Sequence, residues 1–302
     1  MVRHWVTREI PKAQVAAHCG DQRISTQAND EGYFELDLPV SQLSSDPEFW
    51  QEIDVRLEAP EAANAPVSIQ ARVQIPSAKC QFGVISDIDD TVIHTGATNW
   101  WQMIKTTFLG SVHTRAVFPG VAAFYGALAR GAAGDVRHPF FYVTSSPWNL
   151  YPFLCQVFEL KKIPSGMLFM TDWGIDRTKF FKKSHHRHKL EAISRVMRFY
   201  ANLPFILLGD SGQKDPEIYR EILKQFPGRV LAIYIRDVTR KGRDAEVNEL
   251  GLEASQIGVD YLLVKDTMEA AQHAVRQGYI DERELVAIEG DKAADEGSIQ
   301  GQ

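Results

Sequence analysis

Hydrophobic and polar residues follow two different patterns along the chain, and the pattern changes near Phe82. Upstream, Val67–Ile75 alternates apolar and polar positions as a half-buried strand does, and Phe34–Leu38 and Ile53–Leu57 repeat this alternation. We find no helical periodicity longer than two turns and no catalytic constellation in this region. The pattern predicts a small antiparallel β-sandwich domain over residues 1–78, serving as a packing module or as a binding surface for a protein partner.

From Phe82 onwards, short continuously apolar runs alternate with longer amphipathic stretches. Such runs are typical of strands buried on both faces, and strands separated by helices indicate a parallel sheet. The predicted strands are Phe82–Ser86, Phe140–Thr144, Met167–Met170, Phe205–Leu208, Val230–Ile235 and Tyr261–Val264. The predicted helices lie near Val121–Arg130, Leu150–Leu160, Lys189–Tyr200, Pro216–Phe226 and Thr267–Gln277. The sequence therefore predicts an α/β domain with a doubly wound parallel sheet over residues 79–288. We expect the polar tail, 289–302, to be disordered.

Composition and charge limit the classes of protein to which this chain can belong. The chain has 302 residues, of which 44% are hydrophobic and 24% are charged, and its formal net charge is −6. This balance is ordinary for a globular protein and gives no reason to expect nucleic acid as a partner. No run approaches the ~18 apolar residues of a membrane span, and the N-terminus lacks the apolar stretch of a signal peptide. We expect a cytoplasmic protein whose three cysteines are reduced.

The first predicted strand of the sheet leads into Asp87-Ile-Asp-Asp-Thr91. Ligands of doubly wound sheets bind at the carboxyl ends of strands, so Asp87 and Asp89 can approach one ligand from two sides. Two close carboxylates repel each other unless a cation or hydrogen-bond donors compensate. Mg²⁺ prefers hard oxygen ligands and is commonly held by one or two carboxylates plus a substrate phosphate. A solvated acidic loop is the alternative reading of this motif taken by itself.

The second predicted strand ends in hydroxyl groups. Thr144 or Ser145, together with backbone N–H groups at a helix start, can hold a phosphoryl oxygen. The alternative is local: Ser146 before Pro147 suits the N-cap of a helix.

Two further charged groups follow. The predicted strand Phe205–Leu208 leads into Gly209-Asp210, and Asp215 follows at the next helix start, where it also suits an N-cap. Lys189 opens a predicted helix, where its charge opposes the helix dipole, so a bound anion is one reason for its position. An ordinary surface lysine is the alternative.

In this order, the motifs resemble the four motifs of the haloacid dehalogenase (HAD) phosphatase superfamily, over roughly Phe82 to Val264. Three segments resemble, more narrowly, the actin-patch-type phosphatidate phosphatase catalytic domain. They are Phe82–Ile93, Ser146–Phe153 and Gly228–Val238. The first 78 residues lie outside this resemblance. Lys214 stands where many relatives have an acidic residue, and Asp215 follows one position later.

The resemblance implies a role for each matching residue. Asp87 is the nucleophile that forms an aspartyl-phosphate, and Asp89 first protonates the leaving alkoxide and then deprotonates the hydrolytic water. Thr144 and Lys189 neutralise and orient the phosphoryl oxygens. The implied Mg²⁺ site comprises Asp87, Asp89 through its backbone carbonyl, Asp210 and Asp215. Independently of the resemblance, we predict that Thr91, Ser145, Trp100 and Trp101 bind the substrate.

Two segments favour a phospholipid substrate. The stretch 99–110 places Trp100 and Trp101 on one face of a predicted helix, as in an interfacial element; packing in the core is the alternative. Residues 161–189 carry eight Lys/Arg against two Asp, a local charge of +6. We interpret them as a basic flap that attracts anionic headgroups, with a solvated loop as the alternative.

Together these features predict a Mg²⁺-dependent phosphatidate phosphatase that releases diacylglycerol at a membrane surface, with peripheral rather than transmembrane association. One alternative is a phosphatase for a soluble phosphomonoester or a phosphoprotein. The other is a targeting or scaffold protein with a weakly active catalytic domain.

Overall fold

The computed structural model describes residues 10–19, 21–38, 49–61, 65–93, 117–171, 181–238 and 244–300. The chain divides into two compact units, Met1–Ala78 and Lys79–Gln302.

The smaller unit contains one four-stranded antiparallel sheet within its described residues, in the order β2-β1-β3-β4. Its strands are β1 (Gln14–Cys19), β2 (Gln22–Gln27), β3 (Trp50–Ala59) and β4 (Ser68–Gln74). The sequence pattern predicts β3 and β4 but misses the first two strands. The predicted strand Phe34–Leu38 is wrong, because this segment has no regular secondary structure. Its alternation arises because Leu36 and Leu38 pack against the core of the sheet.

The larger unit is an α/β domain built around a six-stranded sheet. Its strands are β5 (Gly83–Asp87), β6 (Phe140–Pro147), β7 (Met167–Thr171), β8 (Phe205–Asp210), β9 (Val230–Arg236) and β10 (Asp260–Val264). Its helices are α1 (Val121–Arg130), α2 (Tyr151–Leu160), α3 (Phe181–Phe199), α4 (Asp215–Gln225), α5 (Asp244–Gln256), α6 (Thr267–Arg276) and α7 (Glu284–Gln300). The six strands predicted for this domain are confirmed, whereas α5 and α7 were not predicted.

The sheet has the order β10-β9-β8-β5-β6-β7, and every pair of neighbouring strands is parallel. Helices α3, α4 and α5 pack on one another over one face, where residues such as Ile85 and Phe205 form their core. Over the other face, the Tyr125 ring of α1 lies against Phe140 of β6, and α1, α6 and α7 pack together. Because both faces are covered, the strands are continuously apolar, as the sequence indicates. No described helix has the length and apolarity needed to span a bilayer.

The expected disorder of residues 289–302 is wrong as far as Gln300, because α7 continues through them. Gly120 is the N-cap residue of α1 and has a left-handed backbone (φ 75°), which provides no side-chain cap. Instead, Asp295 accepts a hydrogen bond from the Gly120 N–H (3.3 Å) and Asp291 from the Ala123 N–H (3.2 Å). The polar residues of this tail therefore satisfy the free amides that start another helix.

Candidate active site

The candidate site lies where the strand order of the sheet reverses. From β5 the chain proceeds outward to β6 and β7, then returns to β8 on the other side of β5. Helices leave adjacent strands in opposite directions at such a switch point, so a crevice opens beyond the carboxyl ends of those strands. Asp87 ends β5 and Asp210 ends β8, which places both carboxylates at this crevice.

Three carboxylates meet there. Oxygen atoms of Asp87, Asp210 and Asp215 all lie within 4.8 Å of one another, and all three residues are buried. Asp215 is held by its neighbour, since its Oδ2 accepts a hydrogen bond from the Asp210 backbone N–H (3.1 Å). The predicted metal-site residues Asp87, Asp210 and Asp215 are thus brought together, whereas the carboxylate of Asp89 is not part of this cluster.

Lys189 supplies the positive charge at the cluster. Its Nζ lies 2.8 Å from Asp87 Oδ1 and 2.8 Å from Asp215 Oδ1, and only 5% of its side chain is exposed. The predicted helix start at Lys189 is wrong, because α3 already begins at Phe181. The opposition to a helix dipole therefore does not apply, and the two carboxylates explain the position of this lysine.

Asp89 lies beside the cluster and is held by Thr144. The Thr144 hydroxyl accepts a hydrogen bond from the Ser146 N–H (3.0 Å) and donates one to Asp89 Oδ2 (2.7 Å). The N–H therefore fixes the direction of the hydroxyl proton. The alternative of Ser146 as an N-cap is not seen, because the N-cap of the 3₁₀ helix that follows, Trp148–Leu150, is Pro147, and no side chain caps it.

Gln213, which sequence reasoning missed, links these groups. Its Nε2 lies 2.9 Å from the Asp89 backbone carbonyl oxygen and 3.4 Å from Asp87 Oδ2, and its Oε1 lies 3.4 Å from Lys189 Nζ. The amide nitrogen of Gln213 thus lies between the carbonyl of Asp89 and the carboxylate of Asp87. The feature of the sequence that could have identified Gln213 is its position in the loop between Asp210 and Asp215.

The backbone around the carboxylates is shaped by short turns. Asp210 Oδ1 accepts hydrogen bonds from the N–H groups of Gly212 (2.7 Å) and Gln213 (2.8 Å), which folds the loop after β8 back on the strand. Asp90 has a left-handed backbone (φ 56°), a conformation that aspartate tolerates better than most residues, and its N–H donates to the Ile93 carbonyl. Asp90 is therefore a turn residue.

Burial and the repulsion between neighbouring carboxylates cause most of the pKa shifts in the site. Burial, followed by the neighbouring Asp215 carboxylate, raises the pKa of Asp87 well above its usual range and that of Asp210 to about 8. Burial also raises the pKa of Asp89, opposed by Lys189 and by the Thr144 hydrogen bond. Burial disfavours the Lys189 ammonium, but Asp215 and Asp87 outweigh it and raise the pKa of this lysine. The ordinary carboxyl pKa does not hold at Asp87, so its ionised form needs more positive charge than Lys189 supplies.

The donor set fits a divalent cation that prefers oxygen ligands. Asp87, Asp210 and Asp215 present carboxylates close together, and the Asp89 carbonyl shares the Gln213 amide group with Asp87. Asp210 Oδ2 is buried and has no hydrogen-bond partner in the described parts of the chain. A cation would supply the missing partner and offset the mutual repulsion of the carboxylates.

The remaining predicted site residues lie apart or beyond the described residues. Thr91 is buried and lines a cavity of about 20 Å³ with Tyr125 and Tyr234, and its hydroxyl has no hydrogen-bond partner among the described residues. Ser145 is partly exposed, and its backbone carbonyl accepts a hydrogen bond from Thr171 (2.7 Å). Trp100 and Trp101 fall outside the described residues, so their placement remains a prediction.

The basic flap 161–189 is described only in part. Residues 172–180 fall outside the described ranges. Lys161 lies 3.9 Å from Asp295, and Arg187 forms an exposed ion pair with Glu191. Lys189 is not a flap residue, since it is buried against the carboxylate cluster.

Comparison with known proteins connects this site to a family. Residues 82–237, just over half of the chain, match the family described as "Phosphatidate phosphatase APP1, catalytic domain". The chain belongs to this family. The matched segment contains each residue of the cluster, so the carboxylates, Lys189 and Thr144 all come from the shared region.

Two curated relatives match the same part of the chain. Phosphatidate phosphatase APP1 of Saccharomyces cerevisiae is 36% identical over 156 residues, 51% of this chain and 26% of the relative. An uncharacterized protein of Schizosaccharomyces pombe is 28% identical over 159 residues, 52% of this chain and 25% of the relative. The chain thus spans about a quarter of the length of each of these relatives.

Proposed function

We propose that the protein is a Mg²⁺-dependent phosphatidate phosphatase that releases diacylglycerol and phosphate through an aspartyl-phosphate on Asp87. The observation that supports this most is the buried cluster of Asp87, Asp210 and Asp215 around Lys189, within a segment of the phosphatidate phosphatase family. A targeting or scaffold role does not require so many buried like charges, which are unfavourable without a cationic ligand.

Asp87 would act as the nucleophile. Its carboxylate oxygen attacks phosphorus, the bond between phosphorus and the glycerol oxygen breaks, and the enzyme retains the phosphoryl group as an acyl phosphate. Lys189 holds Asp87 Oδ1 at 2.8 Å and so fixes the direction from which the carboxylate meets the substrate. Because charge is spread over the phosphoryl oxygens in the transition state, positioning and charge neutralisation supply much of the acceleration.

Asp89 would act as general acid and then as general base. Its raised pKa favours a proton on the carboxyl group, and the nearby Thr144 hydroxyl fixes the orientation of that group at 2.7 Å. Asp89 donates this proton to the leaving glycerol oxygen. It then removes a proton from the water that attacks the acyl phosphate, which releases phosphate and restores the Asp87 carboxylate.

Mg²⁺ would be held by the carboxylates of Asp87 and Asp210 and by the backbone carbonyl of Asp89, with Asp215 as a ligand or as a partner of bound water. When bound it would neutralise phosphoryl charge in the transition state. Asp215 also forms an ion pair with Lys189, so this one carboxylate would position both the Lys189 ammonium and the Mg²⁺ ion.

The substrate is proposed from the name of the Saccharomyces cerevisiae relative, a phosphatidate phosphatase, and from the interfacial pattern around Trp100 and Trp101. The test is a phosphate-release panel that compares phosphatidate in mixed micelles with soluble phosphomonoesters, with Mg²⁺ and with EDTA. We expect phosphatidate to have a kcat/KM at least tenfold above any soluble ester. Equal or better turnover of a soluble ester would replace the lipid substrate with a soluble one while leaving the reaction at Asp87 in place.

A further inference from the structure

Arg236 is a largely enclosed cation that makes no direct ion pair with a carboxylate in the described parts of the chain. It ends β9 and is the register neighbour of Asp210 on β8. Its guanidinium lies 4.3 Å from the centre of the Phe118 ring, and its Nη2 donates one hydrogen bond to Thr267 Oγ1 (3.1 Å). Its Nε is buried and has no partner among the described residues. Burial lowers the pKa of this guanidinium. The Asp266 carboxylate opposes this shift but does not cancel it. Enclosing an arginine without an anion in direct contact is unfavourable, which points to a missing anionic partner.

A cavity of about 160 Å³ opens beside Arg236, and we call it the Arg236 cavity. Its wall includes Lys265, whose side chain makes no ion pair with any described residue, and Lys292. Lys292 is already neutralised, since its Nζ lies 2.9 Å from Asp266 and 3.9 Å from Glu296. Arg236 and Lys265 are therefore the cations of this wall that remain available to a ligand.

The carboxylates of the same wall limit what can bind. Asp266 is occupied, because it caps α6 through the Glu269 N–H (3.2 Å) and also pairs with Lys292. Asp237 and Glu296 also line the cavity and disfavour a bulky anion. A compact oxyanion that contacts Arg236 and Lys265 while staying clear of these carboxylates fits the charge pattern. The planar guanidinium matches two oxygens of a phosphoryl group, and the volume exceeds that of several water molecules at about 30 Å³ each.

We propose that the Arg236 cavity binds a phosphoryl group, distinct from the one hydrolysed at Asp87. Neither Asp87, Asp89 nor Lys189 lines this cavity. The phosphoryl group can come from a free phosphate or from the headgroup of a phosphorylated lipid, and the cavity recognises the chemistry that the two share. The strand register places Arg236 next to Asp210, so an occupied cavity lies one strand away from the reaction.

The test uses the full chain carrying Asp87→Asn, in EDTA, so that neither turnover nor a metal contributes to binding. Isothermal titration with inorganic phosphate is compared for this background and for added Arg236→Met, Lys265→Ala or Lys224→Ala. We expect at least a tenfold weaker phosphate affinity with Arg236→Met and about threefold with Lys265→Ala. Lys224 is exposed and does not line the cavity, so Lys224→Ala should leave the affinity unchanged.

A second arm distinguishes the two sources. Sedimentation with phosphatidylcholine vesicles, with or without a tenth of a phosphoinositide, is measured for the same variants. Loss of phosphoinositide-dependent sedimentation in Lys265→Ala supports a lipid headgroup, whereas loss of phosphate binding alone supports a free phosphate. Lys265 is exposed, so its variant is expected to fold even if Arg236→Met does not. If Lys265→Ala changes neither measurement, or a folded Arg236→Met binds phosphate normally, the proposal is overturned.

Discussion

The buried ion pairs of Lys189 give the prediction that depends most directly on the observed geometry. Lys189→Met keeps the length of the side chain but removes the charge that lies 2.8 Å from both Asp87 and Asp215. At 2.8 Å and an effective dielectric constant of about 20, each contact supplies roughly 6 kcal/mol of attraction, from which desolvation of the ions subtracts several kcal/mol. Removing one partner of a buried pair leaves the carboxylates uncompensated. We therefore expect the free energy of unfolding to fall by about 3–5 kcal/mol.

The matched control is Lys214→Met. Lys214 lies 2.7 Å from Glu217, as close as the buried pair, but 64% of its side chain is exposed. Solvent screening limits such surface pairs to below about 1 kcal/mol. Urea unfolding followed by far-UV circular dichroism, in EDTA at pH 7.5, measures both variants against the parent. If the two substitutions change stability equally, or if Lys189→Met changes it by less than 1 kcal/mol, the cluster does not hold the charges as described.

Four further predictions concern catalysis, the cofactor, membrane contact and pH. Asp87→Asn should lower turnover by several orders of magnitude while the circular dichroism spectrum is unchanged; activity above about a hundredth of wild type would count against a covalent mechanism. Phosphate release should require Mg²⁺ and stop in EDTA; full activity in the chelator would show that catalysis does not need the cation. The double substitution Trp100→Ala and Trp101→Ala should reduce liposome sedimentation and turnover of vesicle-borne phosphatidate but spare a small chromogenic phosphate; a parallel loss of both activities would place the tryptophans in the core. His138 stacks on Phe82, and burial lowers the pKa of its imidazole in the folded state. In the unfolded state this imidazole has its ordinary pKa of about 6.5, so below that pH the unfolded state binds a proton more readily than the folded state does. Stability should therefore fall as pH drops below about 6.5, and the difference in urea midpoint between pH 7.5 and 5.5 should be smaller in His138→Gln; an equal difference would assign the loss to other groups.

The fold of the larger unit could be predicted because its strands are buried on both faces. Continuous apolar runs such as Phe205–Leu208 indicate a central strand of the sheet. Helix α7 could not be found in this way, since its apolar residues do not follow the spacing of an amphipathic helix. Its order depends on tertiary contacts, above all on Asp291 and Asp295 at the start of α1. The local pattern of apolar and polar residues carries no information about such tertiary contacts.

The candidate site was predictable in its residue types but not in its contacts. Asp87 and Asp210 follow buried strands at one edge of the sheet, and the family resemblance grouped them with Asp215 in one predicted site. That Asp215 holds Lys189 depends on how α3 and α4 pack, which spacing does not specify. The contacts of Gln213 depend on a turn that the Asp210 carboxylate itself organises.

The central claim is that Asp87 carries the phosphoryl group during turnover. Brief reaction with phosphatidate labelled with ³²P at the phosphate, followed by acid quenching and peptide mapping, tests this directly. We expect hydroxylamine-sensitive label, typical of an acyl phosphate, on the peptide containing Asp87 and none in Asp87→Asn. Steady phosphate release by the wild type without such label, or label at another residue, would contradict the claim.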